Sequence, residues 1–173
     1  MRIAETEFGD HVEFKHSDLT TPLDFIGDSN FDVIVNQLTL DSIESWRSVF
    51  EEFHRVLSSE GVVVYSVNHP FHDYIMIEYE PKYNIDETNY FAVEQYSQNW
   101  GTDDEPDLVP FYRRSLQEII QPPLKAGFVV DDLIEPIPDD DTDNLEDFRE
   151  DPPRIPLYAH TEEVILARCS AIP

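Results

Sequence analysis

The sequence predicts an α/β fold, because two strand patterns flank one strongly amphipathic helix pattern. Residues 31–38 form a nearly continuous apolar run that ends in a polar pair, and residues 62–67 form a second apolar run of strand length. Between them, apolar residues recur at three- and four-residue steps over 43–57, which is the spacing of one helix face. A strand, a helix, a turn at Gly61 and a second strand make a βαβ unit. We therefore expect two parallel, neighbouring strands joined by a right-handed crossover.

The segments before this unit are predicted to be shorter and less regular. Residues 1–10 fit the end of a helix that closes at Gly9. Polar and apolar residues alternate over 11–15, which predicts a short strand. Residues 20–30 contain a proline, a glycine and an Asp-Ser-Asn cluster, so they are expected to form a loop.

The central helix has recognisable start and stop signals. Asp41 is expected to cap its N-terminus, with Glu44 three residues later completing a capping box. Residues 58–61, Ser-Ser-Glu-Gly, are expected to end the helix before the second strand.

The pattern changes after the second strand. Residues 72–112 are rich in Tyr, Asn, Asp and Glu, and we interpret them as an insertion, or lid, over the site, with a strand expected at 90–96. A helix is predicted over 114–126. Pro122 and Pro123 fall inside it, and a break or restart is expected there, because proline has no N–H to donate and clashes with the preceding turn.

The chain is expected to close with two further strands, at 128–134 and 164–168, the first of them after a helix end at Gly127. The segment 136–156 holds an Asp-Asp-Asp run and five prolines, so it is expected to be a long, acidic, proline-rich loop or to contain a short helix near 145–149. Its acidic run lacks the ligand spacing and the glycine of a calcium-binding loop. At this length the whole chain, residues 1–173, is expected to be one domain.

The composition is strongly acidic, with 37 Asp and Glu residues against 11 Lys and Arg residues and a net charge of −26. The acids are spread along the chain and only three of the bases are lysines. This resembles proteins of salt-loving organisms, in which salt screens the self-repulsion of the surface. The alternative is a nucleic-acid mimic or a binder of basic partners. A nucleic-acid substrate is disfavoured, because phosphate binding needs clustered Lys and Arg.

Neither a transmembrane run nor a secretory signal is visible in the sequence, so no membrane partner is expected. The single cysteine, Cys169, excludes an intrachain disulfide and a cysteine-rich metal site. It is expected to be a small buried hydrophobe in the last strand. Together these features predict a reducing compartment, most simply the cytoplasm.

Several short motifs occur in the same order as in one known family. They include Phe-Asp-Val-Ile at 31–34, Phe-His-Arg-Val-Leu at 53–57 and Ser-Val-Asn-His-Pro-Phe at 66–71. The later ones are Tyr90-Phe91, Trp100, Tyr112-Arg113-Arg114-Ser115-Leu116, Ala126-Gly127-Phe128 and Glu135-Pro136. From Met1 to about Tyr158 the chain therefore resembles the methyltransferase type 11 family of class I S-adenosylmethionine-dependent methyltransferases. The resemblance implies a Rossmann-like sheet and methyl transfer to a small-molecule acceptor.

By this resemblance the cofactor is S-adenosylmethionine, and residues that follow the third and fourth family strands contact it. Asp18 is implied to accept a hydrogen bond from the exocyclic amine of the adenine, and Leu19 to pack against the ring. Asn36, Gln37 and Leu38 are implied to line the methionine end. Open α/β sheets bind ligands at the carboxyl ends of their strands, which agrees with this placement. Taken without the family, Asp18 is also a turn cap and Asn36-Gln37 a plain strand end.

The resemblance further implies a substrate-pocket wall built from the end of the fifth family strand and from the insertion, namely His69, Pro70, Phe71, Tyr90, Phe91 and Tyr96. The aromatic members are alternatively core or lid packing. Candidates for a general base are His69, His72 and Tyr96. No metal is expected, because His69 and His72 have no third imidazole nearby in the sequence.

The chain departs from the family at the cofactor loop. Family members have a glycine-rich turn after the first strand and an acidic residue after the second. Here the five glycines are isolated and no Gly-x-Gly occurs. The family sheet order is 3-2-1-4-5-7-6. The first two strands are therefore expected to be missing, which predicts an N-terminally truncated, incomplete sheet with exposed strand edges.

Two interpretations of function follow. In the first, the chain is of methyltransferase lineage and binds S-adenosylmethionine weakly or not at all because the cofactor loop is absent. In the second, it is a non-catalytic remnant or partner subunit that pairs through an exposed strand edge, with a homo-oligomer as one form of that pairing. A start codon further upstream is a third explanation of the missing motif.

Overall fold

The computed structural model describes residues 6, 8, 11–71, 89–102, 105–135 and 165–171. Its regular elements, in chain order, are β1 (Phe31–Gln37), a 3-10 turn (Leu40–Ser42), α1 (Arg47–Val56), β2 (Leu57–Val67), β3 (Glu94–Asn99), β4 (Leu108–Arg113), α2 (Leu116–Lys125), β5 (Phe128–Ile134) and β6 (Ile165–Ala171). The predicted insertion 72–112 is described only from residue 89. The predicted loop 136–156 lies outside the described residues, as does His72.

Four strands form a mixed sheet in the spatial order β1-β2-β6-β5. β1 and β2 are parallel, with Val33 opposite Val62 and Gln37 opposite Ser66, which confirms the predicted βαβ unit. β6 runs antiparallel to both β2 and β5. This order equals the last four positions, 4-5-7-6, of the family order. The α/β fold class is therefore confirmed, and the described sheet is consistent with the predicted incomplete one.

The main core forms where α1 packs on one face of β2. Phe50 of α1 is fully buried, and its ring centroid lies 5.1 Å from that of Tyr65 on β2 and 5.8 Å from that of Phe53. Phe128 of β5 reaches the same cluster, 6.2 Å from Phe50. These rings meet edge to face, an arrangement that stabilises the fold beyond the burial of apolar area alone. The core therefore joins the βαβ unit to β5.

The helix predicted over 114–126 is confirmed as α2, but the break predicted at Pro122 and Pro123 is wrong, because both prolines lie inside α2. Pro123 has no N–H to donate to the carbonyl of Ile119, four residues earlier. The hydroxyl of Tyr65 donates to that carbonyl instead, at 3.1 Å. A tertiary hydrogen bond thus replaces the lost helical one. Gly127 follows the helix in a left-handed conformation (φ +97°), as its predicted role at the helix end requires.

We expect Tyr65→Phe to destabilise the fold by about 1–3 kcal/mol, because it leaves the buried Ile119 carbonyl without its donor. In a Pro123→Ala background, a backbone N–H is restored to the same carbonyl, and the cost of Tyr65→Phe should fall by about 1 kcal/mol. Urea unfolding of the four proteins of this double-mutant cycle measures the difference. Equal costs in the two backgrounds would show that the hydroxyl and the proline are not coupled.

The strand predicted over 11–15 is wrong, since the backbone there is a turn followed by irregular structure. The polar–apolar alternation is present in the sequence. However, no described strand runs beside this segment, and a strand needs a neighbour to satisfy its backbone groups. Val12 accordingly remains 49% exposed. Thr6 and Phe8 are helical, in agreement with the predicted helix end, and the rest of 1–10 lies outside the described residues.

The central helix is confirmed, but its predicted capping box is wrong. Trp46 takes the N-cap position of α1, without a side-chain capping bond, and Asp41 lies in the preceding 3-10 turn. Ile43 between them is extended (φ −113°, ψ 125°), so the turn and the helix are separate. The indole N–H of Trp46 donates to the Leu40 carbonyl at 2.7 Å, which fixes this irregular connection.

The other predicted boundaries differ by a few residues. α1 ends at Val56 and β2 begins at Leu57, so residues 58–61 lie in the strand instead of ending the helix. The strand predicted at 90–96 begins at Glu94, and β3 and β4 form a separate antiparallel hairpin. It starts late because Asn89 forms a turn, in which its side chain accepts from the Phe91 N–H at 3.0 Å. The predicted strand 128–134 is confirmed. The last predicted strand is confirmed as Ile165–Ala171, which extends beyond the predicted end at 168, and residue 164 lies outside the described residues.

Candidate functional site

The carboxyl ends of β1 and β2 meet at one edge of the sheet because the two strands are parallel. The last hydrogen bond between them runs from the Leu38 N–H to the Ser66 carbonyl, at 3.0 Å. Leu38 has a φ of +50°, which is uncommon for a branched side chain and costs energy. The chain therefore turns sharply away from the sheet directly after Gln37. This opening is where the predicted cofactor residues Asn36, Gln37 and Leu38 lie.

Two buried polar atoms at this edge make no hydrogen bond within the part of the chain that the structure describes. They are Oδ1 of Asn36 and Oγ of Ser66, in side chains that are 7% and 8% exposed. Asn36 lies opposite Tyr65 and Ser66 opposite Gln37, so the two side chains are on opposite faces of the sheet. A buried polar atom without a partner costs about 1–3 kcal/mol, so each is suited to accept a hydrogen bond from a ligand.

Asp41 is the buried carboxylate of the site, 5% exposed in the turn after β1. Its Oδ2 accepts a hydrogen bond from the Asn68 N–H at 3.0 Å, so it links the β1–α1 connection to the end of β2. Burial raises the pKa of Asp41 to about 6, against the lowering effects of that N–H and of the Arg114 charge. A buried carboxylate with a raised pKa at a strand edge is a candidate functional position. The sequence interpretation as a helix cap missed it. The sequence feature that could have indicated burial of Asp41 is its position between two apolar residues, Leu40 and Ile43.

Arg114 is a buried cation that contacts the backbone directly after this turn. It is 4% exposed and donates to the carbonyls of Tyr112 (3.0 Å), Glu44 (2.7 Å) and Ile43. Its guanidinium carbon lies 4.4 Å from the ring centroid of Trp46. Burial lowers the pKa of Arg114 to about 10, opposed by the charge of Asp41. Arg114 remains charged at neutral pH and holds the segment before α1 in place.

A cleft of about 350 Å³ lies between the start of α1 and the outer side of α2, with Trp46 and Arg114 in its wall. Its other lining residues are Glu44, Ser45, Arg47, Val93, Glu118, Gln121, Pro122 and Lys125. None of these is a predicted cofactor or substrate residue.

Asp18 is exposed and already engaged within its own loop. Its Oδ1 accepts from the Thr20 N–H at 2.8 Å and from the Thr20 hydroxyl at 2.7 Å. Both bonds lower the pKa of Asp18, and the bond from the Thr20 N–H has the larger effect. This is the turn geometry that the sequence allowed as the alternative to adenine binding. Leu19 packs against the main core.

Arg55, in the Phe-His-Arg-Val-Leu motif, fastens the loop between Asp18 and β1. Its guanidinium donates to the carbonyls of Leu23 (3.3 Å) and Ile26 (3.0 Å) and to Asp28 (2.6 Å). Glu52 pairs with the same guanidinium and accepts from the Leu23 N–H at 2.7 Å. Bonds to Glu52 and then to Asp28 raise the pKa of Arg55. The motif therefore has a structural role in placing the loop.

Three residues predicted to line the methyl-acceptor pocket, His69, Pro70 and Phe71, follow β2. Of these, His69 contacts Glu135, directly after β5. His69 Nε2 lies 2.7 Å from Glu135 Oε1, and His69 Nδ1 accepts from the Phe71 N–H at 3.2 Å. Because Nδ1 is an acceptor, Nε2 carries the proton and donates to Glu135. Both ring nitrogens are thus engaged in this arrangement. Pro70 is buried and Phe71 is 47% exposed.

The predicted aromatic residues of the insertion divide into two groups. The Tyr90 hydroxyl accepts from the Leu116 N–H at 3.2 Å, which satisfies one free donor at the start of α2, and its ring lies 5.2 Å from that of Phe91. Tyr96 is buried and stacks on Phe111 at 5.8 Å, inside the hairpin of β3 and β4. Tyr96 therefore has the packing role that the sequence left open as the alternative.

The structure thus brings Asn36, Leu38 and Asp41 to the same edge as Ser66 and Asn68, whereas Asp18 and the aromatic residues are held by contacts of their own. Among the described residues, no three His, Cys, Asp or Glu side chains are grouped as a metal site. No helix in the described ranges has the length and apolar character needed to cross a bilayer.

Comparisons with known proteins agree with this fold. Residues 1–65 match the family model described as a methyltransferase domain. A protein from Listeria monocytogenes described as an S-adenosylmethionine-dependent methyltransferase has a similar structure, with a TM-score of 0.68 and 20% identity, over 94% of this chain and 70% of that one. A Clostridium acetobutylicum S-adenosylmethionine-dependent methyltransferase gives a TM-score of 0.61 and 13% identity, over 98% and 70%.

A third similar structure contains ligands. It is 1,6-didemethyltoxoflavin-N1-methyltransferase from Burkholderia thailandensis, with bound 1,6-didemethyltoxoflavin and S-adenosylhomocysteine. Its TM-score is 0.56 at 11% identity, and the alignment covers 99% of this chain but 56% of that enzyme. No curated protein sequence matches the chain.

Proposed function

Because this chain has the fold of the class I S-adenosylmethionine-dependent methyltransferases, we propose that it serves methyl transfer from S-adenosylmethionine to a small-molecule acceptor. The observation that carries the proposal is the buried Oδ1 of Asn36, which has no hydrogen-bond partner among the described residues and lies at the carboxyl ends of two parallel strands. Ligands of open α/β sheets bind at that edge. S-adenosylmethionine, when bound, supplies the methyl group.

The cofactor end of the proposed site is formed by Asn36, Gln37 and Leu38. The free Oδ1 of Asn36 fits a donor group at the methionine end of the cofactor, since it is buried and has no partner among the described residues. Asp18 and Leu19 are proposed to reach the adenine. For Asp18 this requires that its carboxylate keep capacity beyond the two bonds from Thr20, and a carboxylate has about four acceptor positions.

The acceptor end of the proposed site is formed by His69, Pro70, Phe71, Tyr90 and Phe91, with Tyr96 supporting the wall from within the hairpin. A small molecule is proposed because the chain carries 37 acids against 11 bases, which disfavours a phosphate-rich substrate. The similar Burkholderia enzyme also binds a small acceptor. The described residues contribute mainly by holding the acceptor and excluding water, in keeping with a reaction that depends on alignment.

The 173-residue chain by itself is proposed to bind the cofactor weakly, because its sequence holds no Gly-x-Gly turn to cradle the methionine portion. Titration calorimetry with S-adenosylhomocysteine, in molar salt that screens the acidic surface, should show binding with a Kd weaker than about 100 μM. Binding at about 1 μM would contradict the proposal that the site lacks its cofactor loop.

The alternative proposal is pairing through the outer edge of β1 with a second copy. Two apolar residues on the outer face of β1, Val33 and Val35, are 57% and 73% exposed, and β1 pairs only with β2 among the described strands. Exposed apolar edge strands favour pairing with another chain. Size-exclusion chromatography with light scattering in molar salt should then show a dimer that Val35→Lys abolishes. A stable monomer would contradict the pairing.

A further inference from the structure

The connection between β1 and α1 is held by four contacts that are buried or partly buried. The Trp46 indole donates to the Leu40 carbonyl at 2.7 Å. Arg114 donates to the Glu44 carbonyl at 2.7 Å and covers the Trp46 ring at 4.4 Å. Asp41 accepts from the Asn68 N–H at 3.0 Å. The contacts of Trp46 and Arg114 fix the connection itself, whereas the Asp41 contact ties it to Asn68, directly after β2.

We propose that Asp41 is a positioning residue of the transfer site, which sets the acceptor-side segment 68–71 against the cofactor-side residues 36–38. Segment 68–71 carries His69, Pro70 and Phe71. Residues 36 and 37 end β1, and Leu38 follows it, three residues before Asp41. This inference rests on the proposed function, because it assigns the two sides of the same site. Asp41 acts through the Asn68 backbone and is not placed in contact with a reacting atom.

The location of Asp41 argues that its carboxylate is retained for this purpose. A carboxylate that is 5% exposed is costly to keep. The Asn68 N–H and the more distant Arg114 favour its charged form. Neither contact belongs to the main core, in which Phe50 of α1 meets Tyr65 and Phe128 of the sheet. The hydrogen bond from the Asn68 N–H instead fixes the local path of the chain, because the chain leaves β2 at that residue.

The test compares Asp41→Ala and Asp41→Asn with Ser42→Ala, a neighbouring exposed position, as the matched control. Amide hydrogen exchange by NMR reports the Asn68 N–H directly, and the amide of Val63, buried in the central strand β2, corrects for global opening. We expect the Asn68 amide to exchange about tenfold faster in Asp41→Ala, relative to Val63. In Asp41→Asn, whose amide oxygen still accepts, the exchange should stay within about threefold of the parent.

The ligand arm uses S-adenosylhomocysteine at millimolar concentration. Asp41→Ala should weaken its binding about fivefold or more, and Asp41→Asn should recover most of the loss, which a general loss of stability would not produce. Unchanged Asn68 exchange in Asp41→Ala overturns the positioning role. So does faster exchange with unchanged affinity. If the parent chain shows no binding at all, the proposed function fails, and the positioning role that rests on it falls with it, even where the exchange data still show Asp41 holding the Asn68 amide.

Discussion

Replacing Phe50 by alanine is expected to destabilise the folded chain by about 3–5 kcal/mol, the cost typical of deleting a fully buried aromatic ring. Phe50 is 0% exposed and its ring contacts those of Trp46, Phe53, Tyr65 and Phe128. Its removal opens a cavity between α1, β2 and β5, which no single neighbour can fill. A domain of this size has a total stability of about 5–15 kcal/mol, so the variant should be close to unfolding.

Urea unfolding followed by circular dichroism, at one fixed salt concentration, measures the effect. Phe91→Ala serves as the matched control, since it deletes the same ring at a position that is 77% exposed, and we expect a change below about 0.5 kcal/mol there. A loss below about 1 kcal/mol for Phe50→Ala would mean that the aromatic cluster is not the main core.

Asp41→Asn is expected to raise the free energy of unfolding by about 2–3 kcal/mol more at pH 8 than at pH 4. Each unit by which the pKa is shifted contributes about 1.4 kcal/mol to this difference. The folded pKa of about 6 lies above the ordinary value of 3.8. A raised acid pKa means that the fold favours the protonated form. Its contribution to stability is present below pH 3.8 and is lost as the pH rises through about 6. Asparagine keeps an acceptor for Asn68 and removes the buried charge.

The measurement is the free energy of unfolding of the variant minus that of the parent, across pH 4 to 8 at constant ionic strength. Asp24→Asn removes one negative charge from an exposed position, so it controls for the general self-repulsion of the acidic surface. A difference that does not change with pH, or that matches the Asp24→Asn control, would contradict a buried carboxylate at position 41.

The βαβ unit could be predicted from the sequence because its evidence is periodic. The apolar runs at 31–38 and 62–67 and the helical spacing between them reflect which side chains are buried. Burial follows from the type of secondary structure, so the pattern predicts the strands and the helix. The positions of β5 and β6 in the sheet could be predicted only from the resemblance, because local sequence patterns do not determine the order of strands. The strand predicted at 11–15 failed for a related reason: alternation describes one strand, whereas a ladder requires two.

The candidate site could be predicted only in part. Asn36, Gln37 and Leu38 lie at the strand edge where the resemblance put them, because the end of a parallel strand is visible in its sequence. Asp41 and Arg114 were missed, since a charged residue is ordinarily a surface residue and its burial depends on distant partners. Pro123 shows the same limit. Its helix tolerates it only because Tyr65, far away in the sequence, supplies the missing donor.

The central claim is that the carboxyl edge of β1 and β2 is the cofactor side of a methyl-transfer site. A ¹H–¹⁵N NMR titration of the chain with S-adenosylhomocysteine up to about 10 mM tests it most directly, because it detects weak binding and locates it. We expect the largest shift changes at Asn36, Gln37, Leu38 and Asn68, without saturation below about 0.1 mM. Unchanged amides at these four positions over the whole titration, or shift changes confined to the cleft beside α2, would contradict the claim.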